Sequence, residues 1–356
     1  MAAPGPALRA PPRPVMELRT LGSGAASLRV SAQGFGCMGI TAFYGRPIPD
    51  EDAVALLCRA AELGVTHWDT AEAYQVRLED GSTAFNETVV GRAIAAVGRA
   101  KLTIATKYAP SLHGNTLTAE QAVEAARASC ERLGVDCVDL YYVHRFAGGT
   151  PVAQQAEAMN AVKAAGLAKH IGVSEFSPRN LSAFHAVCPV TCVQQEWSLL
   201  NRDLEEELVP LCRRLGVGVV AYSPLCRSLL SGAVRSAADL PNSVGAEDLR
   251  PQRYGKLAAG NLEKNAVLVE AVTAMAATHG ASTSQLSLAW VGHQGDDVVT
   301  IPGTTKVKHL EENVAAQALA LSPAQLEALA AAVPQDRVAG DRFTDGVKGT
   351  FREQDL

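Results

Sequence analysis

Asp69, Tyr74, Lys107 and His144 are the residues of this chain whose types and order could do chemistry. A tyrosine has an ordinary pKa of about 10, so it is a poor acid at neutral pH. An ammonium beside it stabilises tyrosinate and lowers that value. An aspartate can hold the lysine in place and charged, and an imidazole can hydrogen-bond a carbonyl oxygen. Together they make a tuned proton donor, its tuner, an orienter and a substrate anchor. Carbonyl reduction needs that proton and a hydride. No side chain supplies hydride, so a nicotinamide cofactor is implied. Singly, each residue has a plainer reading: Asp69-Thr70 as a helix cap, Lys107 as a rim residue with its head in water, His144 as a core histidine and Tyr74 as a hinge. The chemical reading rests on all four converging.

Convergence depends on the elements that carry them. Candidate strands are Gly34–Met38, Val65–Asp69, Leu102–Lys107, Val138–His144, His170–Ser174, Val193–Glu196, Gly218–Tyr222 and Val298–Ile301. Between them lie amphipathic stretches at helical spacing, among them Glu51–Leu63, Glu87–Val97, Ala119–Leu133, Pro151–Ala165 and Leu204–Leu215. Gly64, Gly134 and Gly216 follow three of these where a helix stop is expected. Repeated strand–helix units predict an α/β fold, a closed (β/α)8 TIM barrel rather than an open sheet. Met16–Gly22 and Ser27–Ala32 predict an N-terminal β-hairpin capping the barrel floor. Asp69, Lys107, His144, Ser174, Glu175, Gln194, Tyr222 and Ser223 all fall at carboxyl ends of strands, the face on which such barrels build active sites. Extra loops and helices are expected at the mouth, from the long interval Leu225–Glu263 and from the stretch after Pro334, read as a flap.

Composition narrows the function. The hydrophobic share of 47% against 19% charged supports a large buried core. A net charge of -5 without a basic stripe argues against nucleic acid as a partner. No apolar run reaches the roughly 18 residues of a membrane span. The cysteines are scattered, which suggests a reducing compartment, and a cytoplasmic location is expected. The histidines lack ligand spacing, so no metal is expected. Gly22-Ser23-Gly24 lacks the glycine-opened helix and following acid of a Rossmann fingerprint. Residues 1–15 are proline-rich and acid-free. They read as a disordered tail, with organelle targeting as the competing reading, and leave 16–356 as the barrel domain.

Six motifs stand in one order: Asp69-Thr-Ala-Glu-Ala-Tyr74, Ala105-Thr-Lys107, Asp139-Leu-Tyr-Tyr-Val-His144, Gly172-Val-Ser-Glu175, Ala221-Tyr-Ser-Pro-Leu225 and Ile301-Pro-Gly-Thr-Thr-Lys306. On these the chain from about Met16 to Val338 resembles the aldo-keto reductase superfamily. Leu262-Glu-Lys-Asn265, His293-Gln-Gly295 and Val338-Ala-Gly340 are similar to its plant-type branch, which includes perakine reductase and auxin-induced-type proteins. The resemblance implies NADP(H) as cofactor and Asp69, Tyr74, Lys107 and His144 as the catalytic tetrad. It implies that Ser174, Glu175 and Gln194 hold the nicotinamide carboxamide, that Tyr222 stacks on the ring, and that Ser223, Leu225 and Arg227 cover the pyrophosphate. Cys37, Met38 and Asp69 count among the cofactor residues as well. Gly303, Thr304, Lys306 and His309 fall at the 2′-phosphate, and Glu312 and Asn313 at the adenine. The implied substrate pocket comprises Met38, Tyr44, Tyr74, His144 and Trp197.

Three departures qualify the resemblance. Many relatives have arginine where His309 stands, and a partly charged imidazole predicts a weaker preference for NADP. Most have asparagine at Glu175, while the plant-type branch often has glutamate, and a carboxylate can accept from the amide NH2 while Ser174 donates to its carbonyl. The segment Gln75–Asn86 is longer and more charged than in close relatives, so no substrate is carried over. The expected function is reduction of aldehydes or ketones to alcohols by hydride transfer from NADPH. The competing reading is an NADPH-binding redox-sensing or regulatory subunit with slow turnover. A barrel hydrolase is disfavoured, because neither a nucleophile elbow nor paired carboxylates are present.

Overall fold

A computed structural model describes residues 16–42, 47–77, 81–239 and 250–344. Eight strands form one all-parallel sheet in chain order: Phe35–Gly36, His67–Asp69, Thr103–Tyr108, Val138–Val143, Ala168–Ser174, Cys192–Glu196, Gly218–Tyr222 and Val298–Thr300. The sheet closes on itself. Gln33 bridges Thr300 in parallel, and the Gly34 N–H donates to the Thr300 carbonyl at 2.8 Å. Glycine is required at this seam. A Cβ on Gly36 would stand 2.7 Å from the Ile301 carbonyl oxygen, and one on Gly303 2.5 Å from that of Gly36. The expected (β/α)8 barrel is therefore what forms.

The strands alternate inward and outward along their length. Ala105, Leu140, Tyr142, Cys192, Val220 and Val299 fill the barrel interior in one apolar cluster. Outward residues such as Trp68, Ile104, Tyr141 and Val219 pack beneath the surrounding helices in a second, larger cluster. Counting two residues on from the interior set reaches Lys107, His144, Gln194 and Tyr222. The same alternation that builds the core thus stacks the polar residues in the layer above it.

The hairpin Leu18–Leu21 and Leu28–Ser31 closes the other end, as expected. Leu21 and Val30 join the interior cluster. Arg19 donates to the carbonyls of Gly292 at 2.6 Å and Gly295 at 3.2 Å, which fastens the hairpin below the eighth strand. Helix ends follow local rules. Thr118 and Gln121 form a capping box before Ala119–Leu133, and Gly134 ends that helix in the left-handed region.

One helix start differs from expectation. The helix expected from Leu204 begins at Leu208, after a short turn over Asp203–Glu205. Pro210 has no N–H to donate and is tolerated only in a first turn, which fixes that start. The segment after Tyr74 is a β-hairpin, Gln75–Arg77 paired antiparallel with Thr83–Phe85. Among the described residues no helix is long and apolar enough to cross a membrane.

Candidate active site

Lys107 lies at the end of the third strand and is completely buried. Its ammonium donates to the Asp69 carboxylate, to the Thr70 carbonyl at 2.7 Å and to the Tyr74 hydroxyl at 3.3 Å. The other Asp69 oxygen accepts from Gln194 Nε2 at 2.7 Å. Both carboxylate oxygens are thus used, and the lysine has all three protons directed. Burial works against the Lys107 charge, but Asp69 and Tyr74 outweigh it and raise its pKa above the ordinary value.

Tyr74 departs from the expectation of a lowered pKa. Burial pushes its phenol up, Lys107 pulls it down, Asp69 raises it again, and the net direction is upward. Asp69 offsets part of the lysine's field, and so desolvation of tyrosinate wins. Tyr74 is therefore a protonated phenol at neutral pH, a donor in place. The His144 ring meets the Tyr74 ring edge-on, with centroids 5.6 Å apart. Burial, then Arg145, then Lys107 hold its imidazole well below the ordinary histidine range, so it is neutral. The sequence-predicted tetrad is one cluster.

The loop bearing Tyr74 is held by Asn86, which the sequence reading did not single out. The Asn86 side chain accepts from Thr70 Oγ at 2.6 Å and donates to the Cys37 carbonyl at 3.0 Å and to Thr41 Oγ at 2.7 Å. Its backbone N–H donates to the Tyr74 carbonyl at 2.8 Å. The hairpin between them is an excursion whose two ends are joined at the catalytic loop.

Beside this cluster, Ser174 and Gln194 sit opposite each other on adjacent strands. Ser174 Oγ accepts from Arg145 at 3.2 Å, and Arg145 also donates to the His144 carbonyl at 2.6 Å. The Tyr222 hydroxyl donates to Glu175 at 2.8 Å, and Arg342 forms an ion pair with the same carboxylate. Burial opposes the Glu175 charge, yet Arg342, Arg145 and Tyr222 together hold its carboxyl below the usual range. Glu175 and Ser223 both adopt left-handed backbone, with φ of 60° and 49°. Arg227, with φ of 55°, lays its guanidinium 3.6 Å over the Tyr254 ring.

Comparison with known proteins agrees with this layout. Residues 34–334 match the Aldo/keto reductase family. The chain belongs to the aldo-keto reductases. A probable aldo-keto reductase 1 of Glycine max (soybean) is 40% identical over 330 residues, 91% of either chain. The fold is similar to that of a thermostable aldo-keto reductase crystallised with the inhibitor epalrestat. That likeness has a TM-score of 0.70 and 30% identity, and covers 89% of this chain and 100% of that one. An aldo-keto reductase from Klebsiella pneumoniae, solved in complex with NADPH, has a TM-score of 0.68 and 25% identity over 91% of this chain and 99% of its own. Membership makes this aldo-keto reductase an oxidoreductase of a family that uses NADP(H) on small-molecule carbonyl compounds.

The residues present in this aldo-keto reductase fit that cofactor. Ser174, Gln194 and Tyr222 offer donors and acceptors at one strand-end layer. At the eighth strand, Lys306 stands at the N-cap position of the helix Val307–Ala315 without a side-chain cap bond, and the first turn holds no acid. Lys306, Lys308 and His309 are exposed there, so the helix end and its cations form a positive site suited to a phosphate. Thr304 Oγ accepts from the Lys306 N–H at 3.1 Å and shapes the turn. Gly303 passes close by, while Asn313 is buried and Glu312 accepts from Ser282 Oγ at 2.5 Å.

The remaining expected residues are placed as follows. Met38 packs with Ala42, Ala71 and Tyr74 at the mouth, and Cys37 is fully buried behind it. Leu225 is partly buried against the main core. Trp197 lies in the core between sheet and helices, its indole N–H donating to Glu205 at 2.9 Å, rather than in the mouth cluster. Tyr44 lies outside the described residues. The stretch after Pro334 does reach the barrel mouth, through Arg342.

Proposed function

We propose that this aldo-keto reductase reduces aldehydes or ketones with NADPH, using Tyr74 as the proton donor. The observation that carries the reading is the buried contact of Tyr74 with Lys107, itself paired with Asp69, beside a neutral His144. A substrate carbonyl oxygen placed between Tyr74 and His144 would accept from both. NADPH supplies the hydride when bound. Tyr74 then gives its proton to the oxygen, and Lys107 stabilises the tyrosinate that remains. His144 orients the oxygen and, being neutral, does not compete as an acid. Ser174 and Gln194 are assigned to the carboxamide, with Glu175 as its acceptor, and Tyr222 to the face of the ring. Lys306 and His309 are assigned to the 2′-phosphate. The folded unit is proposed to begin at Met16, which packs against the core, with residues 1–15 as a tail. The NADPH complex of the Klebsiella relative supports the cofactor.

Steady-state oxidation of NADPH with a reactive aromatic aldehyde tests this. Sustained turnover is expected. NADPH binding without turnover would instead identify a sensing subunit.

A further inference from the structure

Arg342 stands where no feature of the catalytic cluster requires it. It is carried on the C-terminal segment, 167 residues from its partner Glu175. The segment is fastened on both sides of it. Asn265 donates to the Ala339 carbonyl at 2.9 Å and accepts from its N–H at 2.8 Å. Thr344 donates through its N–H to the Arg253 carbonyl at 3.0 Å and through its hydroxyl to that of Gln252 at 2.7 Å. Phe343 is buried, its ring 5.7 Å from that of Tyr254. Between these anchors the Arg342 guanidinium reaches down to Glu175 and to Glu196, 3.8 Å away.

We propose that Arg342 is a positioning residue that holds the Glu175 carboxylate and balances its charge, so that the C-terminal segment sets how this site weighs the oxidised against the reduced nicotinamide. This rests on the reading that Glu175 faces the cofactor's carboxamide. The argument is electrostatic. NADP+ carries a positive ring and NADPH a neutral one. A buried, unbalanced carboxylate next to the ring favours the positive form, and a guanidinium on that carboxylate cancels the bias. The groups facing Glu175 are Arg342, Arg145, the Tyr222 hydroxyl and the Glu196 backbone N–H. Glu196 in turn meets Arg342 and, at 3.9 Å, Arg227, and Asp203 adds to the field at Arg342. With Arg342 gone, Arg145 is the remaining cation acting on Glu175 among these groups. The surroundings of Glu175 are then one positive charge poorer whenever it is ionised, which tilts the field at the ring towards the positive form.

The test is the ratio of dissociation constants for NADP+ and NADPH, titrated on the full chain with Arg342→Met, Arg342→Lys, Glu175→Gln and the double variant. In Arg342→Met the ratio is expected to move about fivefold to tenfold towards NADP+ near pH ~8.5, where Glu175 is ionised. The tilt fades as pH falls and Glu175 takes up its proton, at a higher pH than in the wild type because losing Arg342 raises the carboxyl pKa. Wild type and Arg342→Lys hold a flat ratio. Arg342→Met has no further effect in the Glu175→Gln background. A change in both constants by one common factor, or a tilt that persists without the Glu175 carboxylate, overturns the proposal, since Arg342 would then act structurally or on the cofactor itself. If Glu175→Gln alone changes neither constant, the placement of Glu175 at the nicotinamide fails, and the proposal falls with it.

Discussion

The Lys107 ammonium lies 3.3 Å from the Tyr74 hydroxyl, with the lysine fully buried and the tyrosine nearly so. That contact sets the direction of the pH dependence. Tyr74 serves as a donor while protonated, so activity is present below its pKa and lost as pH rises through it. Lys107 pulls the pKa down against burial. Removing the charge with Lys107→Met raises the pKa further above its ordinary value of about 10. The basic limb of kcat/KM against pH should therefore move to higher pH in the residual activity of the variant. A limb that stays in place or moves down would show that another group is being titrated.

Asn86 connects the Tyr74 loop to Thr70, Thr41 and Cys37. Asn86→Ala leaves several buried polar groups without partners and should cost about 2–3 kcal/mol in a denaturant titration. It should also lower kcat by about tenfold or more while leaving the NADPH dissociation constant close to wild type, because a misplaced donor costs chemistry rather than cofactor binding. A loss confined to stability would limit Asn86 to a folding role.

At the eighth-strand helix, Lys306→Met should weaken NADPH by about tenfold or more, the worth of one charged hydrogen bond, and NADH little. His309→Arg should tighten NADPH by adding a permanent, forked guanidinium at the phosphate. Fluorescence titration with both cofactors checks this. Equal losses for NADPH and NADH would remove the phosphate from Lys306.

What could be read from the sequence follows from what local pattern encodes. Strand ends announced by short apolar runs placed Asp69, Lys107, His144, Gln194 and Tyr222 in one layer, because a period of two residues fixes which side chains face the barrel axis. Arg342 was not legible. Its partner Glu175 is distant in sequence, and an ion pair between two segments leaves no periodicity in either. Arg145 and Asn86 sat beside residues that were read, His144 and the charged loop. The signals overlooked were a cation directly after a strand-end histidine and an asparagine at the first position of the helix Asn86–Val97. The lowered pKa expected for Tyr74 failed for another reason. Residue types reveal which charges are near, whereas the cost of burial depends on the packing around them.

The central claim is that Tyr74 gives the proton. Tyr74→Phe removes one hydroxyl and keeps the ring that packs with Met38, Ala42 and Ala71. The decisive measurement is the rate of aldehyde reduction by this variant with NADPH shown to be bound by titration. The account predicts unchanged cofactor affinity and a rate lower by ~10²–10⁴-fold, the usual worth of a positioned proton transfer. Reduction of an ordinary aldehyde at near wild-type rate, with NADPH bound, would contradict it.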